Sequence, residues 1–187
     1  MAVTVTNVLM GPCDVYVGTF GATEPTLGTW TAPGVAWTDA GGTSGGVKFA
    51  VNMDFKPLEV DQVPDEIGVR MTGRKIMVET TMAEATLENI KSLMNGGTIA
   101  TGTGYKSFEP LSTSASFQPT YSALLLRGYA PGATAGWIRH FVVRKVLSAD
   151  GFELEQSKDK QQGLKVKWQG YYVSSSVAPF AIIDQTA

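Results

Sequence analysis

The sequence predicts a mainly β protein, and three observations carry that expectation. Glycine and proline, 21 and 9 of the 187 residues, fall between short runs rich in Val, Thr, Phe, Tyr and Trp, which is how turns punctuate strands. Two of those runs alternate strictly between apolar and polar residues, the period of a half-buried strand. Helical spacing is convincing in only one stretch.

The elements follow in chain order. Residues 13–19 read as a first strand, and the glycine-rich segment 18–46, which carries Trp30 and Trp37, reads as a long, partly ordered loop. In 47–55, Val47, Phe49, Val51, Met53 and Phe55 fall on one face and Lys48, Ala50, Asn52 and Asp54 on the other. In 73–82, Ile76, Val78, Thr80 and Met82 oppose Lys75, Met77, Glu79 and Thr81, so the two strands are expected to be neighbours. Residues 56–72 are too long for a tight turn and mix acids and prolines with Leu58, Val60, Val63, Ile67, Val69 and Met71, apolar residues that an isolated monomer would struggle to bury.

Leu87, Ile90, Leu93 and Met94 at helical spacing, closed by Gly96-Gly97, predict one amphipathic helix over about 83–95. The Gly-, Ser- and Thr-rich segment 97–119 reads as loop. Strands are expected at 121–129, 137–147, 152–156 and 164–173, with a last one at 177–183, and Asp150-Gly151 is a two-residue hairpin signal. No repeat or charge block divides the chain, so 1–187 is read as a single domain with an N-terminal arm at 1–10.

Composition narrows function. A hydrophobic fraction of 43% supports a packed core, while a charged fraction of 17% against about 25% in an average soluble domain implies that part of the surface is neutral or covered by a partner. A net charge of −2 argues against non-specific nucleic-acid binding through phosphate neutralisation. One cysteine, Cys13, excludes an intramolecular disulfide and a multi-cysteine metal site. No apolar run reaches membrane-spanning length and the N-terminus lacks a signal-peptide pattern, so no membrane insertion is expected and the protein is placed in the cytoplasm.

The catalytic inventory is thin, and no enzyme, cofactor or metal is expected. His140 is the only histidine and sits inside an expected strand, on the face of Ile138, Val142, Arg144 and Val146, which suits a half-buried structural residue. Cys13 has no basic neighbour in sequence and reads as a small buried hydrophobe. Gly41-Gly-Thr-Ser-Gly-Gly46 leads into a strand, and Gly102-Thr-Gly-Tyr-Lys-Ser107 lacks the Gly-Lys-Ser/Thr ending, so neither makes a phosphate loop. Asp61, Asp65 and Glu66 match no calcium-loop spacing. Trp137 and Trp168 read as core or interface anchors; Trp30 and Trp37 leave open a carbohydrate-binding β-sandwich, as a separate module or as a tail or capsid decoration domain.

The order Val15-Tyr-Val-Gly18, Trp37-Thr-Asp39, Gly45-Gly-Val-Lys-Phe49, Leu58-Glu-Val-Asp-Gln-Val63 and Gly73-Arg-Lys-Ile-Met-Val-Glu-Thr-Thr-Met-Ala-Glu-Ala-Thr-Leu-Glu-Asn-Ile90 resembles the major tail protein, or tail tube protein, of long-tailed bacteriophages. Arg139-His-Phe-Val-Val-Arg-Lys-Val146 and Val166-Lys-Trp-Gln-Gly170 resemble that family's C-terminal half. The resemblance covers most of residues 11–185 and is strongest over 58–95.

It implies two antiparallel sheets forming a barrel-like sandwich with one flanking helix. It also implies a structural virion protein of the siphovirus tail, in which six copies close into a ring and stacked rings form a hollow tube that conducts DNA into the host. The implied partners are the chain itself, the tape-measure protein, the tail initiator and terminator proteins, and genomic DNA passing without specific binding. The tail would be assembled in the host cytoplasm. Segment 56–72 then resembles the extended loop that reaches a neighbouring subunit, with Leu58, Val60, Val63, Ile67 and Val69 as buried contacts and Asp61, Asp65, Glu66 and Arg70 setting register. The polar faces of 47–55 and 73–82 would offer Lys48, Asn52, Asp54, Lys75, Glu79 and Thr81 to the lumen, where a neutral or mildly acidic lining would let phosphates pass.

Overall fold

A computed structural model describes residues 4–112, 118–132, 136–159 and 161–186. Residues 1–3 of the expected N-terminal arm and 113–117 of the expected 97–119 loop lie outside them. The chain is mainly β. Eight antiparallel strands form one sheet: β1 (Asp14–Thr19), β2 (Trp37–Asp39), β3 (Thr43–Val60), β4 (Val63–Met82), β7 (Ser122–Tyr129), β8 (Ile138–Ser148), β9 (Leu164–Gly170) and β10 (Phe180–Asp184). Their order is β2-β1-β7-β8-β9-β4-β3, with β10 also paired to β8. A separate hairpin, β5 (Thr98–Gly102) with β6 (Tyr105–Glu109), lies beside the helix α1 (Leu87–Leu93).

The expected pair of sheets closing into a barrel is corrected: the strands belong to one sheet, and it does not close. It folds over at β8 instead. One edge of β8 pairs with β7; the other is shared, with β10 taking Arg139 to Val143 and β9 taking Val146 to Ser148. The halves that diverge there face each other across one core, with Val15, Leu124, Leu126, Val143 and Val146 on one side and Ile76, Val78, Met82, Leu164, Val166 and Trp168 on the other. Ile90 and Leu93 of α1 join the same cluster.

A register shift in β8 adjusts which side chains enter the core. Ser122 pairs with Val146 but Leu124 with Val143, so β8 spends one residue more than β7 over that interval. Val143 and Val146 therefore both reach the core cluster, while Val142 belongs to a second cluster with Tyr16, Trp37, Ala123 and Leu125. The expected common face of His140 and Val146 is thereby split.

The helix is shorter than its apolar spacing suggests. Thr86 is extended and its hydroxyl accepts from the Asn89 amide at 3.2 Å, so the helix starts at Leu87. Asn95 at φ 52° and Gly96 and Gly97, also at positive φ, end it. The Asn95 side chain then bonds both backbone groups of Ser148, at 2.7 and 2.9 Å, fastening the end of α1 to the end of β8.

Two further expectations are corrected. Residues 152–156 form no strand, and Asp150-Gly151 closes no hairpin; Phe152 packs against the core without a backbone partner strand. The last strands run Leu164–Gly170 and Phe180–Asp184 rather than 164–173 and 177–183.

Candidate functional site

The segment expected as a loop at 56–72 is the outer half of a β-hairpin. Phe55 pairs with Met71, Lys56 with Arg70, Pro57 with Val69 and Leu58 with Gly68, and Asp61-Gln62 turns the chain between Val60 and Val63. The two strands β3 and β4 run for 18 and 20 residues. Strand β9 supports β4 only from Ile76 to Met82, so among the described residues the hairpin beyond Asn52 projects as an arm with no third strand beside it. At about 3.3 Å per residue, Met53 to Val60 spans roughly 25 Å.

All nine residues expected to contact a neighbouring subunit, Leu58, Val60, Asp61, Val63, Asp65, Glu66, Ile67, Val69 and Arg70, are exposed on this arm. The expected contact set omits Met71, named among the apolar residues of 56–72, and Met53 and Phe55, read as part of the apolar face of 47–55; they stand 49%, 53% and 54% exposed. The signal for Met53 and Phe55 was the alternation of 47–55 itself, which does not stop where the core stops.

The six residues expected to face a lumen share one face of the sheet, because Lys48 pairs with Glu79, Asn52 with Lys75, Asp54 with Gly73 and Ser44 with Thr81. Glu79 lies between two lysines, 3.3 Å from Lys48 and 3.6 Å from Lys167, and the Lys48 hydrogen bond and charge hold its carboxyl below the usual carboxylate range. Among these six, Lys48 and Lys75 balance Asp54 and Glu79, and neighbouring segments add further charges to the same face. Strand β9 adds Lys165 and Lys167 opposite Thr81 and Glu79, and the arm adds Lys56 and Arg70. Lys48, Lys56, Arg70, Lys75, Lys165 and Lys167 outnumber Asp54 and Glu79. A groove of about 1030 Å³ crosses the β9 end, where Asp150, Glu153 and Glu155 border it together with Lys48, Lys165 and Lys167.

The opposite flank of the sheet is covered by the glycine-rich segment. Glu24 accepts two hydrogen bonds from the Arg144 guanidinium, at 2.5 and 3.0 Å, Arg127 donates to the Trp30 carbonyl at 3.0 Å, and Trp37 Nε1 donates to the Thr23 carbonyl at 2.8 Å. Trp37 is buried and Trp30 lies on His140 with ring centroids 5.2 Å apart. Neither is the exposed loop tryptophan that a carbohydrate platform requires.

His140 is 2% exposed and its Nε2 has no hydrogen-bond partner. Burial, and secondarily the Arg127 charge, lowers its pKa, so it is neutral in the folded protein. Lowering shifts the proton toward the unfolded chain, and stability is expected to fall as pH drops through about 6.5. At its limit one such proton is worth about 1.4 kcal/mol per pH unit. Urea unfolding from pH 7 to pH 5 should show stability falling more steeply in the native chain than in His140→Phe; equal slopes would place the titration elsewhere. Burial, then the Asp14 charge, pushes the Cys13 thiol up to about 11, so it remains a protonated thiol at neutral pH.

Among the described residues no three His, Cys, Asp or Glu side chains gather as a metal site, and no helix is long and apolar enough to cross a membrane. Comparison of the sequence with protein-family models and with curated proteins gives no match.

Proposed function

We propose that this chain is a structural subunit that assembles with copies of itself into a hollow tube of stacked hexameric rings, as its resemblance to phage tail tube proteins implies. The observation that carries the reading is the β3–β4 hairpin. Among the described residues strand β3 pairs only with β4, leaving an 18-residue edge without a partner there, and the hairpin ends in an arm whose apolar side chains touch little of their own chain. A long unpaired edge is a template for another strand and an aggregation hazard unless a specific partner covers it. Neighbouring copies would cover it in a ring, and the barrel that one chain leaves open would be completed between chains.

In that arrangement the arm reaches the adjacent subunit, and the polar face of β3, β4 and β9 lines the channel. Asp150, Glu153 and Glu155 offset its lysines at the β9 end. The work is mechanical and no catalytic step is assigned. The tape-measure protein and the tail initiator and terminator proteins are the remaining partners, DNA passes through without being held, and the tail of the virion is the location.

Negative-stain electron microscopy of the purified chain over a concentration series tests the reading. Rings or tubes with a central channel are the expected result. A particle of monomer size at every concentration, also in the presence of preformed tail-tip complexes, would refute it.

A further inference from the structure

We infer that the arm is self-complementary along its length, its acidic tip docking on the basic stem of the arm of a second copy of this chain. The inference rests on the assembly reading above and names the contact. Glu59, Asp61, Asp65 and Glu66 stand at the tip with no base among residues 59–66. Lys56, Arg70 and Lys75 share the polar face of the stem, and Arg74 pairs with Met53 beside them. All eight are exposed.

Three observations point to a partner. First, Lys56 and Arg70 are register partners, so two like charges face each other across the hairpin, an arrangement that destabilises an isolated pair of strands. Second, none of the eight enters an ion pair, although Lys48, Lys106, Arg127, Arg139, Arg144 and Lys167 all do among the described residues. Arg74 has only the Phe180 ring, 5.8 Å from its guanidinium carbon. Third, the strands keep tip and stem apart: at the rise of a strand Glu59 lies about 10 Å and Asp61 about 17 Å from Lys56, both beyond a screening length of about 8 Å at physiological salt. Their attraction is therefore available between arms and not within one.

Two arms set side by side in register oppose like charges, whereas a shift along the arm lays tip on stem. Such a contact leaves a free stem on one copy and a free tip on the other, so it repeats without closing and builds a filament. It also bears on the channel. The stem is the part of the basic face that Asp150, Glu153 and Glu155 do not border, and the neighbour's tip would neutralise it, leaving phosphates nothing to grip.

Charge reversal of the full-length chain tests this. One variant carries Glu59→Lys, Asp61→Lys, Asp65→Lys and Glu66→Lys; another carries Lys56→Glu, Arg70→Glu and Lys75→Glu; a third carries all seven. The sites are exposed, and each variant is first matched to the native chain by circular dichroism. Sedimentation velocity then reads the assembled fraction at one concentration. The tip and stem variants should each lose at least tenfold of it, and an equimolar mixture of the two, or the combined variant, should recover the native level.

Tip or stem variants that assemble like the native chain, or a combination that recovers nothing, would overturn the contact while leaving self-assembly standing. Association that stops at a dimer would mean the arms close on each other, and overturns the head-to-tail form. If a short DNA duplex binds the native chain, fails to bind the stem variant, and assembly is unchanged, the stem is a nucleic-acid surface and the proposal falls. A native chain that stays monomeric also in the presence of preformed tail-tip complexes removes the assembly reading itself, and this contact with it.

Discussion

Replacing residues 55–72 with an Asn-Gly turn should abolish assembly and leave the fold standing. Asp54 and Gly73 are register partners at the foot of the arm, and Asn-Gly suits the two-residue turn that joins such a pair. The excised side chains are exposed or half-exposed and none belongs to either core cluster, so the melting temperature should stay within a few degrees of native. Assembly should fall below detection by electron microscopy and by sedimentation. Removing Met71, Phe55, Val69 and their neighbours takes away the apolar surface that a partner would bury, at roughly 25 cal/mol per Å², and with it the charged tip. Tubes of normal length and yield from the shortened chain would show that the arm is not an assembly element. Loss of the folded monomer would show instead that the arm supports the core.

The core of this fold was legible because its strands alternate. Val47 to Val51 and Ile76 to Met82 lie as their period indicates, and so do the six polar residues on the reverse face. What escaped has local causes. Pro57 and Pro64 made 56–72 look like a loop, yet a proline is tolerated on an edge strand, and β3 is one. The arm also departs from simple alternation near its tip, where Glu59 faces Pro64 to Ile67.

The β5–β6 hairpin hid in a Gly-Thr-rich segment whose turn, at Thr103-Gly104, works because Gly104 adopts φ +81°. Residues 152–156 alternate as a strand would. Alternation specifies an apolar side, however, and a strand also needs an edge to pair with. The register shift that parts Val146 from His140 has no marker in Arg144-Lys145. The excess of bases on the polar face was missed because Lys165 and Lys167 come from β9, brought beside β4 from more than eighty residues away in sequence, and because Lys56 and Arg70 lie in the segment read as a loop.

Trp168→Ala should cost about 3–5 kcal/mol, the range for removing a buried aromatic ring, and Trp168→Phe well under half of that. Trp168 is 1% exposed at the centre of the main core cluster and pairs with Val78 on one side and Ser148 on the other. Alanine leaves a cavity between the two halves of the folded sheet. Phenylalanine leaves a smaller one; both variants remove the indole Nε1–H, which is buried without an acceptor, and because an unsatisfied donor of that kind costs about 1–3 kcal/mol, its loss offsets part of the lost packing in each. Urea denaturation of the two variants measures the difference, and equal losses would show that the phenyl ring restores none of the packing that the indole supplied. Against a total stability of about 5–15 kcal/mol the alanine variant is large enough to matter for function. Strand β9 holds the only supported stretch of β4, Ile76 to Met82, so loosening it loosens the platform from which the arm projects. Trp168→Ala should therefore assemble poorly at temperatures where it is still mostly folded, while Trp168→Phe should assemble as the native chain does.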